Sequence, residues 1–239
     1  VSVPLRCDSC RCGMWVRTME RTKIPRVKIC CINSIEEAWT AINCGASALG
    51  FVSTMPSGPG ILTFEKIAEI AASVPPPIAT FLLTSSQDAQ EIIEQLRYCG
   101  TNTVQICDRL ASGTYQDIRQ SLPGISIVQV IHVSTEESIR EAIAVAPHVD
   151  AILLDSGNQS LLVKELGGTG RIHNWNLSAV IRQKLNIPIF LAGGLKPANV
   201  ALAVQQVGPF GLDVCSGVRS DGKLDANKLK QFFQELKIY

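Results

Sequence analysis

Two apolar runs of this chain end in groups that hold and release protons. Val27-Lys28-Ile29-Cys30 ends in a thiol and Ile152-Leu153-Leu154-Asp155 in a carboxylate. A thiol whose pKa is lowered by a cation or a helix terminus takes a proton near neutral pH, and a carboxyl group in a suitable setting returns one. Taken singly, each residue has a second reading. Cys30 is equally a small buried hydrophobe, and Asp155 is equally a cap for the loop that follows it. A third feature is a pair of glycine-rich turns, Gly193-Gly194 after Phe190-Leu191-Ala192 and Ser216-Gly217-Val218 after Asp213-Val214-Cys215. Glycines let backbone amides approach a phosphate closely, and a hydroxyl with a helix N-terminus completes an anion-binding concavity. One such turn is ordinary; two on successive strands predict a phosphate site.

What positions these residues is a repeated strand–helix unit. From Val27 onward, short aliphatic runs alternate with longer amphipathic stretches, the pattern of a parallel sheet buried on both faces. Eight strands are predicted: Val27–Ile32, Ala48–Val52, Ile78–Leu83, Thr103–Ile106, Ser126–Ile131, Ala151–Leu154, Ile187–Ala192 and Gly211–Cys215. Helix starts are signalled by Ser34 and Ser134, each with Glu three residues on, and by Pro197; Gly45 and Gly100 signal helix ends. A doubly wound sheet usually stops at five or six strands with its glycine-rich turn after the first, whereas here that turn reads Cys30-Cys31-Ile32-Asn33. The fold predicted is therefore a single (β/α)8 barrel over residues 25–239. In a barrel the C-terminal ends of the strands converge. Cys30 from strand one and Asp155 from strand six would flank one substrate, a base and an acid, with the phosphate held beyond strands seven and eight.

Composition narrows the partner. A formal net charge of +1 gives no electrostatic case for nucleic acid or an anionic membrane surface, which leaves a small neutral or anionic metabolite. No apolar run is long enough to cross a bilayer, and the first residues lack a secretory pattern, so a cytoplasmic protein is expected. The nine cysteines are scattered and read as reduced thiols. The exception is Cys7, Cys10 and Cys12, in a stretch (residues 1–24) with no periodicity, which reads as a disordered or mis-started extension before Met19-Glu20-Arg21-Thr22 rather than as a thiol metal site.

The same motifs carry a family resemblance. Val27-Lys28-Ile29-Cys30, Gly45 to Val52, Ile152 to Asp155, Gly167-Gly168-Thr169-Gly170 with Trp175, Leu191 to Val200, Asp213 to Val218 and Gly222-Lys223-Leu224-Asp225 occur in order. Together they resemble the phosphoribosylanthranilate isomerases of tryptophan biosynthesis, barrels of the ribulose-phosphate-binding type. The resemblance implies an Amadori rearrangement of an aminoaldose phosphate to an aminoketose phosphate, with no metal and no cofactor, by a monomer or homodimer. It implies Cys30 as general base and Asp155 as general acid. Gly193, Gly194, Ser216 and Gly217 would hold the phosphate, and Lys28, Gln105, Asp213 and Arg219 would make further substrate contacts. Gly167–Gly170 would be a lid.

This chain also departs from the family pattern. The family has glycine after the catalytic cysteine, and this chain has Cys31. A backbone of positive φ resists a cysteine, so the turn is expected to differ. The family's arginine for the anthranilate carboxylate is replaced by Met55-Pro56-Ser57-Gly58-Pro59-Gly60, and its histidine after strand four is absent from Val104-Gln105-Ile106-Cys107. Arg219 or Arg171 could restore carboxylate recognition, unless each is an ordinary loop arginine. His173 is a loop histidine, His132 and His148 have no partner that spacing reveals, and Trp175 packs at the lid's hinge. The alternatives to the isomerase are a sugar-phosphate isomerase with another aglycone and a non-catalytic phosphate-binding barrel.

Overall fold

In the computed structural model, which describes residues 24–158 and 161–237, eight parallel strands pair in chain order and the eighth returns to the first, closing a barrel. The strands are β1 (Arg26–Ile29), β2 (Ala48–Val52), β3 (Ala79–Thr84), β4 (Thr103–Ile106), β5 (Ser126–His132), β6 (Ala151–Asp155), β7 (Ile189–Leu191) and β8 (Gly211–Val214). The helices that follow them in turn are α1 (Ile35–Cys44), α2 (Phe64–Ala72), α3 (Ala89–Cys99), α4 (Tyr115–Ser121), α5 (Glu137–Val145), α6 (Trp175–Lys184), α7 (Pro197–Val207) and α8 (Ala226–Lys237). A two-stranded ribbon, β9 (Arg219–Ser220) and β10 (Lys223–Leu224), precedes α8. No helix among the described residues is long and apolar enough to cross a membrane. The cluster Cys7, Cys10 and Cys12 and the extension drawn around it lie outside the described residues, apart from Ile24.

Strand alternation sorts side chains into two cores. Outward residues such as Ile29, Leu49, Leu82, Ile106, Ile152 and Leu212 pack against the helices, while Ala48, Phe81, Val128, Ala151 and Phe190 point into the barrel. The inner floor is aromatic: Phe190 meets Phe81 and Phe210 edge-on, with centroids 6.1 and 5.8 Å apart. Gly211 faces Phe190 because a methyl there would lie 2.5 Å from its ring.

The helix signals were mostly followed. Ser34 accepts from the Glu37 amide, and Gly45 and Gly100 end α1 and α3 in the left-handed region. Pro197 opens α7. Ser134 is a correction: α5 starts at Glu137 with no side-chain cap, because the Ser138 hydroxyl accepts from the Ser134 amide and donates to the His132 carbonyl, which carries the chain on before the helix begins. The first strand ends at Ile29 rather than Ile32, and the seventh covers only Ile189–Leu191. The turn after Cys30 is a further correction. Cys31 itself adopts φ 60°, so the positive-φ turn is kept despite its side chain.

Candidate active site

Pairing of β1 with β8 sets Lys28 beside Asp213 at the seam of the barrel. Both side chains point inward, and Lys28 Nζ donates to Asp213 Oδ1 at 2.9 Å, the lysine fully buried and the aspartate 8% exposed. The ammonium also stands 5.2 Å from the centre of the Phe81 ring. Burial by itself would lower the Lys28 pKa, but the Asp213 carboxylate, with help from Cys30, holds it above its ordinary value. A permanent positive charge therefore sits in the middle layer of the barrel.

Cys30 lies one layer above it. A methyl added to Gly50 on β2 would be 2.9 Å from Lys28 Nζ and 3.1 Å from Cys30 Sγ, so the glycine leaves the space in which ammonium and thiol approach each other. A nearby cation is what a thiol needs to act as a base. Cys107, which follows β4, is pushed up by burial and stays a thiol.

Across the mouth, β6 ends at Asp155. Its Oδ1 accepts from the Ser156 amide at 2.7 Å. Burial raises its pKa, against the lowering effect of that hydrogen bond and of His132. It thus keeps its proton to higher pH than an ordinary aspartate, which is the requirement for a general acid. Cys30, Asp155, Gln105, Asp213, Gly193, Gly194 and Ser216 all line one pocket at the C-terminal end of the strands. The amide of Gln105 is buried, and its Oε1 has no partner among the described residues.

The loop after β6 folds over this pocket. Thr169 Oγ1 lies 2.7 Å from Ser156 Oγ, and a methyl on Gly167 would be 2.8 Å from Asp155 Oδ2. Gly167, Gly168 and Gly170 all have positive φ. The two late turns meet beneath the same loop. Gly193 and Gly194 are left-handed, a side chain on Gly217 would strike the Leu195 carbonyl at 1.8 Å, and one on Gly170 would stand 3.3 Å from Ser216 Oγ. Only glycines permit this convergence of backbone, which brings Gly170, Gly193, Gly194 and Ser216 to one wall of the pocket.

Several candidates fall elsewhere. Lys28 does not line the pocket but underlies Cys30. Arg219 is committed to Glu37 of α1, donating at 3.0 and 2.8 Å to the two carboxylate oxygens, and also to the Gly222 and Cys31 carbonyls. It braces the turns behind the site instead of reaching into it. Arg171 pairs with Glu165 and is exposed. His173 is lowered to about 4 by burial, with Nε2 2.7 Å from Ser178 Oγ, and is therefore neutral. Trp175 is buried in the outer core at the start of α6. Spacing reveals no partner for His132 and only a helix-start role for Glu37, and the fold supplies both with more. His132 pairs in register with Asp155 and contacts the Cys107 carbonyl at 3.0 Å; its place as the last residue of β5 was the available signal. Glu37 was read only as a helix-start residue.

Comparison with known proteins agrees with this geometry. The family model described as N-(5'phosphoribosyl)anthranilate (PRA) isomerase matches residues 27–235. The N-(5'-phosphoribosyl)anthranilate isomerase of Methanosarcina acetivorans is 32% identical over 93% of this chain and 98% of its own. That of Gloeothece citriformis is 34% identical over 88% and 93%. Among solved structures, the Thermotoga maritima phosphoribosyl anthranilate isomerase superposes with a TM-score of 0.75 at 28% identity, covering 90% of this chain and all of that one. A phosphoribosyl anthranilate isomerase in complex with reduced 1-(o-carboxyphenylamino)-1-deoxyribulose 5-phosphate gives 0.73 at 27%, with the same coverage. On the family model and on these relatives, the chain belongs to the N-(5'-phosphoribosyl)anthranilate isomerase family.

Proposed function

We propose that this protein isomerises N-(5'-phosphoribosyl)anthranilate to the corresponding carboxyphenylamino-deoxyribulose phosphate, a step of tryptophan biosynthesis, in the cytoplasm as a monomer or homodimer. The observation that carries the reading is the placement of Cys30 and Asp155 on one pocket whose other end is the glycine turn at 193–194 and Ser216. Asp155 donates its proton to the ribose ring oxygen, which opens the ring to a Schiff base. Cys30, above the Lys28 ammonium, removes the proton from C2, and the enolamine tautomerises to the ketone. Gly193, Gly194, Ser216 and Gly217 hold the phosphate, while Gln105 and Asp213 contact the sugar. The Gly167–Gly170 loop keeps water from the intermediate.

The test is loss of anthranilate fluorescence when the purified protein meets phosphoribosylanthranilate generated in situ. Rapid loss is expected. Binding of a phosphorylated aminosugar without turnover of the anthranilate compound would instead favour another aglycone, the reading suggested by the lack of an arginine between Met55 and Gly60. In the same assay Gly50→Ala is expected to lower kcat by at least about tenfold, because its methyl displaces the Cys30 thiol and the Lys28 ammonium. Chemical denaturation of that variant should show a loss of about 1–3 kcal/mol, the usual cost of overpacking. An unaltered kcat would mean that the contact between the two groups is not needed.

A further inference from the structure

Cys31 is a side chain held where the backbone favours none. Its φ of 60° belongs to the region in which glycine is at ease, and a residue kept there against its preference points to a use for the side chain. The thiol lies against a second one: Cys215 Sγ is 2.7 Å from Cys31 Sγ, although the two are 184 residues apart. The catalytic mechanism proposed above employs neither.

We propose that Cys31 and Cys215 form a reversible dithiol–disulfide site, oxidised by small hydroperoxides. A disulfide needs its sulfurs at about 2.05 Å, so the pair requires only a small further approach. The two residues form a wall between the substrate pocket and a second concavity lined by Asn33, Gly60, Arg219 and Gly222. A small oxidant can thus reach them from the second concavity, which Ser216 also borders. Cys215 is half-buried and Cys31 buried, which makes Cys215 the sulfur that meets the oxidant first. The hydrogen bond with Cys31 lowers the Cys215 pKa, with a contribution from the Arg219 guanidinium, while the same contact raises that of Cys31.

The chemistry balances with hydrogen peroxide as oxidant. The Cys215 thiolate attacks one peroxide oxygen, the O–O bond breaks, and hydroxide leaves to take up the thiol's proton as water, giving a sulfenic acid. Cys31 sulfur then attacks the sulfenic sulfur; the S–O bond breaks and a second water leaves with the Cys31 proton. Two thiols are oxidised by two electrons and one peroxide is reduced to two waters. A dithiol reductant reverses the change by exchange.

The experiment treats the full chain with equimolar hydrogen peroxide, blocks the remaining thiols by alkylation, and maps tryptic peptides by mass. Peptides 29–66 and 185–219 carry Cys31 and Cys215, respectively. They are expected to appear joined and two hydrogens lighter as the major product, and to separate after dithiothreitol. Because peptide 29–66 also holds Cys30 and Cys44, two variants identify the partner. Cys30→Ser should retain the cross-link. Cys31→Gly, which suits the positive-φ turn and so folds, should lose it and leave oxidation on Cys215 alone. Separate peptides carrying single-sulfur oxidation in the wild type, or a cross-link that survives in Cys31→Gly, would overturn the assignment.

Discussion

Asp155→Asn is expected to lower kcat by about 10²–10⁴-fold with its fold intact, because it removes the proton donor for ring opening while keeping the size and the hydrogen-bond acceptor of the side chain. Burial raises the pKa of the wild-type carboxyl, against the pull of the Ser156 amide and of His132. The sign of the pH dependence follows from that upward shift. A general acid works in its protonated form, so kcat should fall as pH rises through the raised pKa of Asp155. The residual rate of Asp155→Asn, having no such proton to lose, should be flat over the same interval. Cys30→Ser should bring a loss of similar size, because a hydroxyl gives up its proton far less readily than a thiol. Its residual rate should still show the alkaline fall. If Asp155→Asn keeps that fall, another group donates the proton and the assignment of the acid fails.

The barrel was legible in the sequence because each of its units carries its own punctuation. Ser34 and Gly45 bracket the first helix, and Gly100 and Pro197 mark other ends, through local backbone chemistry that tertiary contacts leave alone. Boundaries failed where apolar residues continue past the ladder. Ile32 is fully buried yet lies in the turn after β1, so hydrophobicity extended the first strand by three residues beyond Ile29. Ser134 failed for a different reason, since a hydroxyl four residues later captured its amide. The strand-end candidates Cys30 and Asp155 and the glycine turns could be grouped at one pocket because a barrel sends strand ends to one face, and that rule needs only a count of strands. Pairings across the seam follow from register, and register is absent from any local pattern. Hence local pattern alone makes Lys28 and Arg219 candidates for substrate contact, whereas Lys28 meets Asp213 and Arg219 meets Glu37. The expectation that a cysteine would change the turn at position 31 failed because the preference is only about 1–2 kcal/mol. The Arg219 bond to the Cys31 carbonyl, and the contact of its thiol with Cys215, lie on the other side of that balance.

Lys28→Met is expected to be the most costly single change for stability, about 3–5 kcal/mol, since it leaves the Asp213 carboxylate buried without its cation. For a domain whose total stability is about 5–15 kcal/mol, that is a large share, and the denaturant midpoint would register it. The ammonium's upward shift places its own titration above the ordinary lysine range. Its contribution is therefore complete at neutral pH and is lost only as pH rises through the folded-state value. The double variant Lys28→Met with Asp213→Asn separates two roles. Removing both charges takes away the unpaired carboxylate, so much of the stability should return. Turnover should not return with it, because Cys30 still lacks the cation beneath it and the pocket has lost the Asp213 carboxylate. Stability that stays low in the double variant would mean that the ammonium contributes through its place over the Phe81 ring as well as through Asp213. Recovery of both properties would remove Lys28 from the account of the base. The layer order of the barrel makes this separation possible: the ion pair closes the seam between the first and last strands, and the Cys30 thiol stands one layer nearer the mouth.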